Sequence, residues 1–305
     1  MKPRILIIGS INMDLILRTP RIPQPGESLL AQSYRYNPGG KGANQAVAVS
    51  LLGGEATFVG KTGSDAFAVT LRKSLEEKGV SADFLGVSPV NPSGMAAILL
   101  EENGENRIMV YPASNMDLTE ADIDRALQRD YDALLIQFEI PWDIVSYACG
   151  AAKRKGMPFV ADAGPACDFP LEKIPGMEIL SPNETETLAL CGVLPDCEEG
   201  CAKAGRILTQ RSGAKNIVFK LGAKGAVLYR DGDMKLFPAY TVKATDTTAA
   251  GDAFTAALAV RYLSGRGLEE AIRYANAAGA LTVMKMGAQQ SIPTKEDVEN
   301  FMGNI

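Results

Sequence analysis

The sequence predicts an α/β protein with a mainly parallel sheet and a small β-sheet lid. Three observations predict it. Short, continuous apolar runs recur along the 305 residues, longer stretches of helical periodicity lie between them, and residues 12–37 and 93–115 break that rhythm. Continuous apolar runs mark strands buried on both faces. Strands alternating with helices form βαβ units with parallel pairing.

The elements follow in order. "RILIIG" (4–9) is the first strand. Residues 12–37, "NMDLILRTPRIPQPGESLLAQSYRYN", hold three prolines and read as extended segments with turns. "ATFVG" (56–60) is a strand and "DAFAVTLRKSLEEKG" (65–79) a helix. Within 93–115, "MAAILL" and "RIMVY" form a hairpin around the polar turn "EENGEN". "ALLIQF" (133–138), "PFVAD" (158–162), "EILSPN" (178–183) and "NIVFKLG" (216–222) are strands, with the helix "DIVSYACGAAKRKG" (143–156) among them. No repeat, linker or low-complexity tract divides the chain, so it reads as one domain over 1–305, with a lid from about 12–37 and 93–115.

Composition excludes several function classes. Apolar residues are 46% and charged ones 22%, an ordinary globular balance. A net charge of −5 offers no basic footprint for nucleic acid. The absence of histidine removes Ser-His-Asp and Cys-His catalysis as usually built, and the commonest zinc ligand. Any general base must be a carboxylate, lysine or tyrosine. Five cysteines without a C-x-x-C read as reduced thiols; the spacing of Cys197 and Cys201 fits chance on a helix face. The N-terminal apolar run is too short for a signal peptide, and nothing approaches the roughly 18 apolar residues of a membrane span. A cytoplasmic protein without membrane or nucleic-acid partners is expected.

Polar residues follow the buried strands. Asn12 and Asp14 come after the first, Glu139 after "ALLIQF", Asn183 and Glu186 after "EIL", and "LGAKG" after "NIVFK". Capping and turn duties explain each alone. Together they fall where open α/β sheets bind ligands, outside the carboxyl ends of the strands.

"DTTAAGDAF" (246–254) puts side-chain-poor residues before an apolar helix, with Asp252 in its first turn. First-turn amides lack intrahelical partners and carry the positive end of the helix dipole, so this stretch reads as an anion hole. Asp252 either complements the dipole or serves as a general base beside a bound phosphate. There is no P-loop, and no G-x-G-x-x-G follows the first strand. A second cluster, "NPGGKGANQAVAVSLLGG" (37–54), opens another helix. Gly39, Gly40 and Gly42 either let backbone approach a ligand or make a tight turn; Lys41 and Asn44 supply donors or are merely solvated.

These residues resemble the PfkB carbohydrate kinases, most of all their ribokinase branch. "GGKGANQAVA" is similar to the family's first signature, "DTTAAGDAFTAALA" to its second and "SPNETE" to its N-x-x-E motif, while "GSINMD" and "QFE" fall where ribokinases hold their sugar. The order matches across essentially the whole chain. The resemblance implies a three-layer core and a lid that also pairs subunits into a homodimer. It implies transfer of the ATP γ-phosphoryl group to the 5-hydroxyl of D-ribose.

By that resemblance Asp252 is the base, and the Ala249, Ala250 and Gly251 amides form the anion hole. Asn12, Asp14, Gly40, Lys41, Asn44 and Glu139 hold sugar hydroxyls. Asn183 and Glu186 order Mg²⁺ and phosphate, partly through water. Lys220, Gly222, Ala223, Gly225 and Gly251 line the nucleotide site, with Asn276 near the adenine or ribose. A K⁺-type monovalent cation sits near Asp246, Thr248, Thr282, Lys285, Gly287 and Ser291, held mostly by backbone carbonyls. Asp246 as a plain turn residue is the alternative.

Two departures stand out. Asn276 replaces a histidine frequent in ribokinases, and Met13 is bulkier than the usual alanine. Met13 either faces the sugar, shifting preference among pentoses, for example towards deoxyribose, or packs beneath the lid. The competing functions are a PfkB kinase for deoxyribose, a ketohexose or a nucleoside; a non-catalytic sugar sensor, against which the intact "AAG" and Asp252 stand; and a Rossmann oxidoreductase, disfavoured by "GSINMD".

Overall fold

The computed structural model describes residues 2–102 and 106–303. In chain order the elements are β1 (Arg4–Ile8), β2 (Asn12–Thr19), β3 (Ser33–Gly39), α1 (Lys41–Leu51), β4 (Glu55–Thr62), α2 (Ala66–Glu77), β5 (Ser81–Val87), β6 (Gly94–Glu101) and β7 (Asn106–Tyr111). There follow α3 (Glu120–Ala126), β8 (Ala133–Ile136), α4 (Trp142–Arg154), β9 (Phe159–Asp162), β10 (Ile179–Ser181), α5 (Glu184–Cys191), α6 (Glu198–Ser212) and β11 (Asn216–Lys220). The chain ends with β12 (Ala226–Arg230), β13 (Asp233–Phe237), α7 (Ala250–Leu263), α8 (Leu268–Val283) and α9 (Lys295–Gly303).

Nine strands form the large sheet in the order β13-β12-β11-β10-β9-β8-β1-β4-β5. Every pairing from β5 across to β11 is parallel. β1 shows why its apolar run is unbroken. Ile5 and Ile7 join the core under α1, α7 and α8, while Leu6 and Ile8 join the core under α4 and α6. A strand sandwiched between two helical layers has no polar face. The sheet therefore lies in the middle of three layers, and its parallel strands bring their carboxyl ends to one edge.

The strands read from sequence are present. β5 and the hairpin β12–β13 carried no such signal, and β5 and β13 are the two edges of the sheet. β13 is largely exposed and β5 alternates in burial, so neither has a continuous apolar run.

The two stretches that break the rhythm supply a separate sheet, β3-β2-β6-β7. β6 and β7 form the expected antiparallel hairpin, with Met95 opposite Tyr111. Of its expected turn, residues 103–105 lie outside the described residues. Met13 is 1% exposed and joins the core containing Ile11, Ala43 and Val47. Neighbouring strand residues point to opposite faces, so Met13 is turned away from Asn12 and Asp14 and packs as core. No helix among the described residues is long and apolar enough to cross a membrane.

Candidate active site

The β1–β2 turn and the start of α1 lie against each other because glycine permits it. Gly40 has φ +90°, and a Cβ there would lie 2.8 Å from the Ile11 Cα; at Gly42 it would lie 2.7 Å from Gly9. The room beside these two glycines is thus filled by the chain's own turn. The close fit carries the first residues of α1 to the carboxyl edge of β1. Lys41, Asn44 and Gln45 arrive there together.

α7 approaches the same edge. Its N-terminal neighbour Ala249 is left-handed, φ +59°, a conformation that costs an alanine energy. No side chain caps the helix, and the Ala250 amide makes a long 3.3 Å bond to Thr247 O. Such strain beside uncapped amides is more than a plain helix start needs. Asp252, 5% exposed, accepts from Asn44 Nδ2 at 2.9 Å and Gln45 Nε2 at 3.2 Å. Burial pushes its carboxyl up to about 6, against the pull of Lys41 and the two amides. Burial would lower the Lys41 ammonium, but Asp252, Asp162, Glu139 and Glu186 outweigh it and hold it protonated.

Asp162, at the end of β9, is the hub that sequence reasoning missed. It is 1% exposed and accepts from Lys220 Nζ (3.0 Å), Gln45 Nε2 (3.2 Å), Thr255 Oγ1 (2.7 Å) and the Gly164 amide (3.0 Å). Burial acts to raise its carboxyl, but Lys220, Lys41 and the Thr255 hydroxyl hold it below the usual range. Gln45 spans Asp162 and Asp252 and accepts from Gln137 Nε2 at 2.6 Å. One signal was available: Asp162 closes "PFVAD", at the same strand edge as Asn12, Glu139 and Asn183.

Beside Asp162 lie Asn183, Glu186 and Lys220. Asn183 and Glu186 cap α5 reciprocally: the Asn183 amide donates to Glu186 Oε2 (2.7 Å) and the Glu186 amide to Asn183 Oδ1 (2.8 Å). Lys220 Nζ is 3.7 Å from Glu186 Oε2. A Cβ on Gly164 would lie 2.7 Å from Lys41 Nζ and 2.8 Å from Glu186 Oε1, so Lys41 reaches across to this cluster. Gly222 and Ala223 form one 3₁₀ turn after β11. A Cβ on Gly225 would lie 2.1 Å from Phe237 O. Asn276 donates to Phe237 O (2.9 Å) and Pro238 O (3.2 Å), which anchors the chain after β13 to α8.

Asp246 fastens two loops. Its Oδ1 accepts from the Thr248 amide (2.9 Å), and its Oδ2 from the Gly287 amide (2.8 Å). Thr282 and Ser291 donate to Ala278 O and Ala288 O, and the Lys285 amide to Thr282 O. The turn role of Asp246 is therefore real, with a second contact across to residue 287.

The small sheet brings two more buried polar residues towards the same edge, Asp14 within reach of the charges of Glu139 and Asp252. Asn12 and Asp14 are 3% and 7% exposed. A Cβ on Gly39 would lie 2.1 Å from Asp14 Oδ2, and one on Gly94 2.2 Å from Asn12 Oδ1, so glycines on both flanking strands make room for these side chains. Asn115 Nδ2 donates to Asn12 Oδ1 at 2.7 Å. Burial, then Glu139 and Asp252, push the Asp14 carboxyl up to about 7. Ser10 Oγ donates to Glu139 Oε2, and both line a cavity of about 430 Å³ with Asn12, Asn115, Phe138 and Trp142. A cavity of similar size at Cys197 and Cys201 holds no part of this cluster.

The same edge thus gathers a largely apolar pocket edged by Ser10, Asn12, Asn115 and Glu139, and an uncapped helix start that carries the buried Asp252. The pattern of pfkB family carbohydrate kinases matches residues 2–295. A ribokinase of Haemophilus influenzae is 34% identical over 304 residues, covering 99% of both chains. A deoxyribokinase of Salmonella typhimurium is 32% identical, covering 98% of both. A solved Arabidopsis thaliana ribokinase complexed with ribose and ATP superposes with a TM-score of 0.90 at 33% identity, over 99% of both chains. With matching fold, signatures and length, the chain belongs to the pfkB family of carbohydrate kinases and is an ATP-dependent sugar kinase.

Proposed function

We propose that the protein phosphorylates D-ribose at its 5-hydroxyl. The observation that carries this reading is Asp252: buried, raised to about 6, and set in the first turn of an uncapped helix. A carboxyl near neutrality is deprotonated in the resting enzyme yet basic enough to accept a hydroxyl proton. As the O5–P bond forms and the bond from phosphorus to the ADP oxygen breaks, the O5 proton passes to Asp252. The amides of Ala249, Ala250 and Gly251 stabilise the negative charge on the transferring phosphoryl group. Asn12, Asp14, Gly40, Lys41, Asn44 and Glu139 hold the sugar. Asn44 has a buried Oδ1 without a partner among the described residues, a free acceptor beside Asp252. Lys220, Gly222, Ala223, Gly225 and Asn276 bind the nucleotide.

The donor set suits Mg²⁺. Glu186 and Asn183 offer hard oxygen ligands, and no cluster of three or more His, Cys, Asp or Glu among the described residues forms a protein cage. Mg²⁺ is usually held by one or two carboxylates, waters and substrate phosphates. When bound, it neutralises phosphate charge. The Asp246–Thr248 and 282–291 loops would hold K⁺ through backbone carbonyls, with Asp246 fixing their approach. Exposed Tyr34, Met109 and Tyr111 on the lid are the surface expected to pair subunits. Five free thiols fit a cytoplasmic setting. Lid closure would exclude water, so ATPase activity without sugar should be far below activity with it.

Deoxyribose is the second reading, favoured by the near-equal identity of the deoxyribokinase relative. ADP release from ATP and Mg²⁺ with D-ribose, 2-deoxyribose, fructose or adenosine, each with and without K⁺, decides. Ribose-dependent turnover raised by K⁺ is expected. Turnover only on another compound reassigns the pocket; sugar binding without turnover replaces the kinase reading by the sensor.

A further inference from the structure

The lid carries a polar residue that belongs to neither signature-derived site. Asn37 on β3 stands directly opposite Asp14 on β2, so the two side chains share one face of the lid. The Asp14 carboxylate leans over Gly39, two residues from Asn37 on that same face. Asn37 is only 9% exposed, and its Nδ2 has no hydrogen-bond partner among the described residues. Buried amides are almost always satisfied, and one left unpaired is destabilising. Asn37 and Asp14 line a narrow cavity of about 20 Å³, room for a single hydroxyl or water, whose far wall is Asp246, Thr248 and Gly287.

We propose that Asn37 is a substrate contact: its Nδ2 donates to the sugar hydroxyl next to the one whose hydrogen Asp14 accepts. This rests on the sugar-kinase reading of Asp14 given above. An acceptor and a donor on opposed positions of two strands match the two ends of a vicinal diol. The carboxylate takes the hydrogen of one hydroxyl, and the amide gives its own to the oxygen of the neighbour. The pair therefore selects a sugar with adjacent hydroxyls. A sugar lacking the one that Asn37 reaches leaves a buried donor unpaired and is bound less well.

The test measures kcat and KM of the full chain for D-ribose, 2-deoxy-D-ribose and 3-deoxy-D-ribose, with ATP, Mg²⁺ and K⁺. Wild type is compared with Asn37→Ala and Asn37→Ser. Asn37→Ala should raise KM for ribose about tenfold with kcat and the KM for ATP little changed. For one of the two deoxy sugars, wild type and Asn37→Ala should have the same KM. Asn37→Ser, which keeps a short donor, should fall between, and carries the comparison if the alanine variant does not fold. An equal rise for all three sugars assigns Asn37 to holding the lid against the 246–248 loop and overturns the proposal, as does no change on any of them. Wild type that fails on ribose sinks the parent reading, and this one with it, before any variant is compared.

Discussion

The end of β9 and the first turn of α7 each bury a carboxylate, and the two are tuned in opposite directions. Asp162 has four donors, one of them an ammonium at 3.0 Å, and is held below the usual carboxylate range. Asp252 has two neutral amide donors and is pushed up to about 6. Gln45 touches both, and burial raises both. The donor set makes the difference: Asp162 has its charge fully engaged in joining β9, β11, α1 and α7, whereas Asp252 keeps basicity to spare. The same residue type serves as brace in one place and as the proposed proton acceptor in the other.

The largest effect should come from Asp252→Asn. An amide cannot take the proton, and turnover should fall about 10²–10⁴-fold with ATP binding retained. Near-normal kcat would remove the base role and leave Asp252 as a dipole partner. Asp162→Asn should strike stability instead. It leaves Lys220 buried beside only the more distant Glu186, and breaking such a pair costs about 3–5 kcal/mol. Urea unfolding separates the two variants: Asp252→Asn at neutral pH should be at least as stable as wild type, because it removes a desolvated charge. Equal losses of stability in both would erase the contrast.

The pH dependence follows the same division. The folded pKa of Asp252 lies above its ordinary 3.8, so between about pH 4 and 6 the folded state holds more protons than the unfolded. Stability from this group is therefore lost as pH rises through that window, by up to about 3 kcal/mol. Asp14, pushed up to about 7, extends the decline. Asp162 acts the other way: its stabilisation is present above about pH 4 and lost only in stronger acid. Turnover should rise as stability falls, with a midpoint near 6 set by Asp252. Melting curves of Asp252→Asn should show a shallower decline between pH 4 and 6. An unchanged slope would mean that another group titrates there.

Asp252 was legible in the sequence and Asp162 was not, for a physical reason. Asp252 sits among small residues at a helix start, a local pattern that narrows its role to dipole partner or base before any fold is known. Asp162 ends a four-residue strand, and its partners Gln45, Lys220 and Thr255 come from three other elements. Only the fold brings them together. The buried strands were legible because a layer on each face forces continuous apolar runs; the edge strands β5 and β13, covered on fewer sides, were not. Asn37 was passed over because a polar residue in an extended, proline-rich stretch looks like surface. Its burial depends on pairing with β2.

Thr255 gives the smallest and most discriminating test, since it binds one carboxylate and the backbone of the helix turn that carries the other. Its Oγ1 is 2.7 Å from Asp162 Oδ2 and 3.0 Å from Gly251 O, one turn back on α7. Thr255→Val keeps the shape and removes the donor. A hydrogen bond to a buried charge is worth about 1.5–3 kcal/mol, so that much stability should go. Turnover should hardly change, because Asp252 keeps both amide donors and Lys41 still faces it. The opposite result, intact stability with turnover falling towards that of Asp252→Asn, would mean that Thr255 acts through the Gly251 carbonyl to shape the first turn of α7. Asp162 would then be coupled to the phosphate end of the site, and brace and base would be parts of one device.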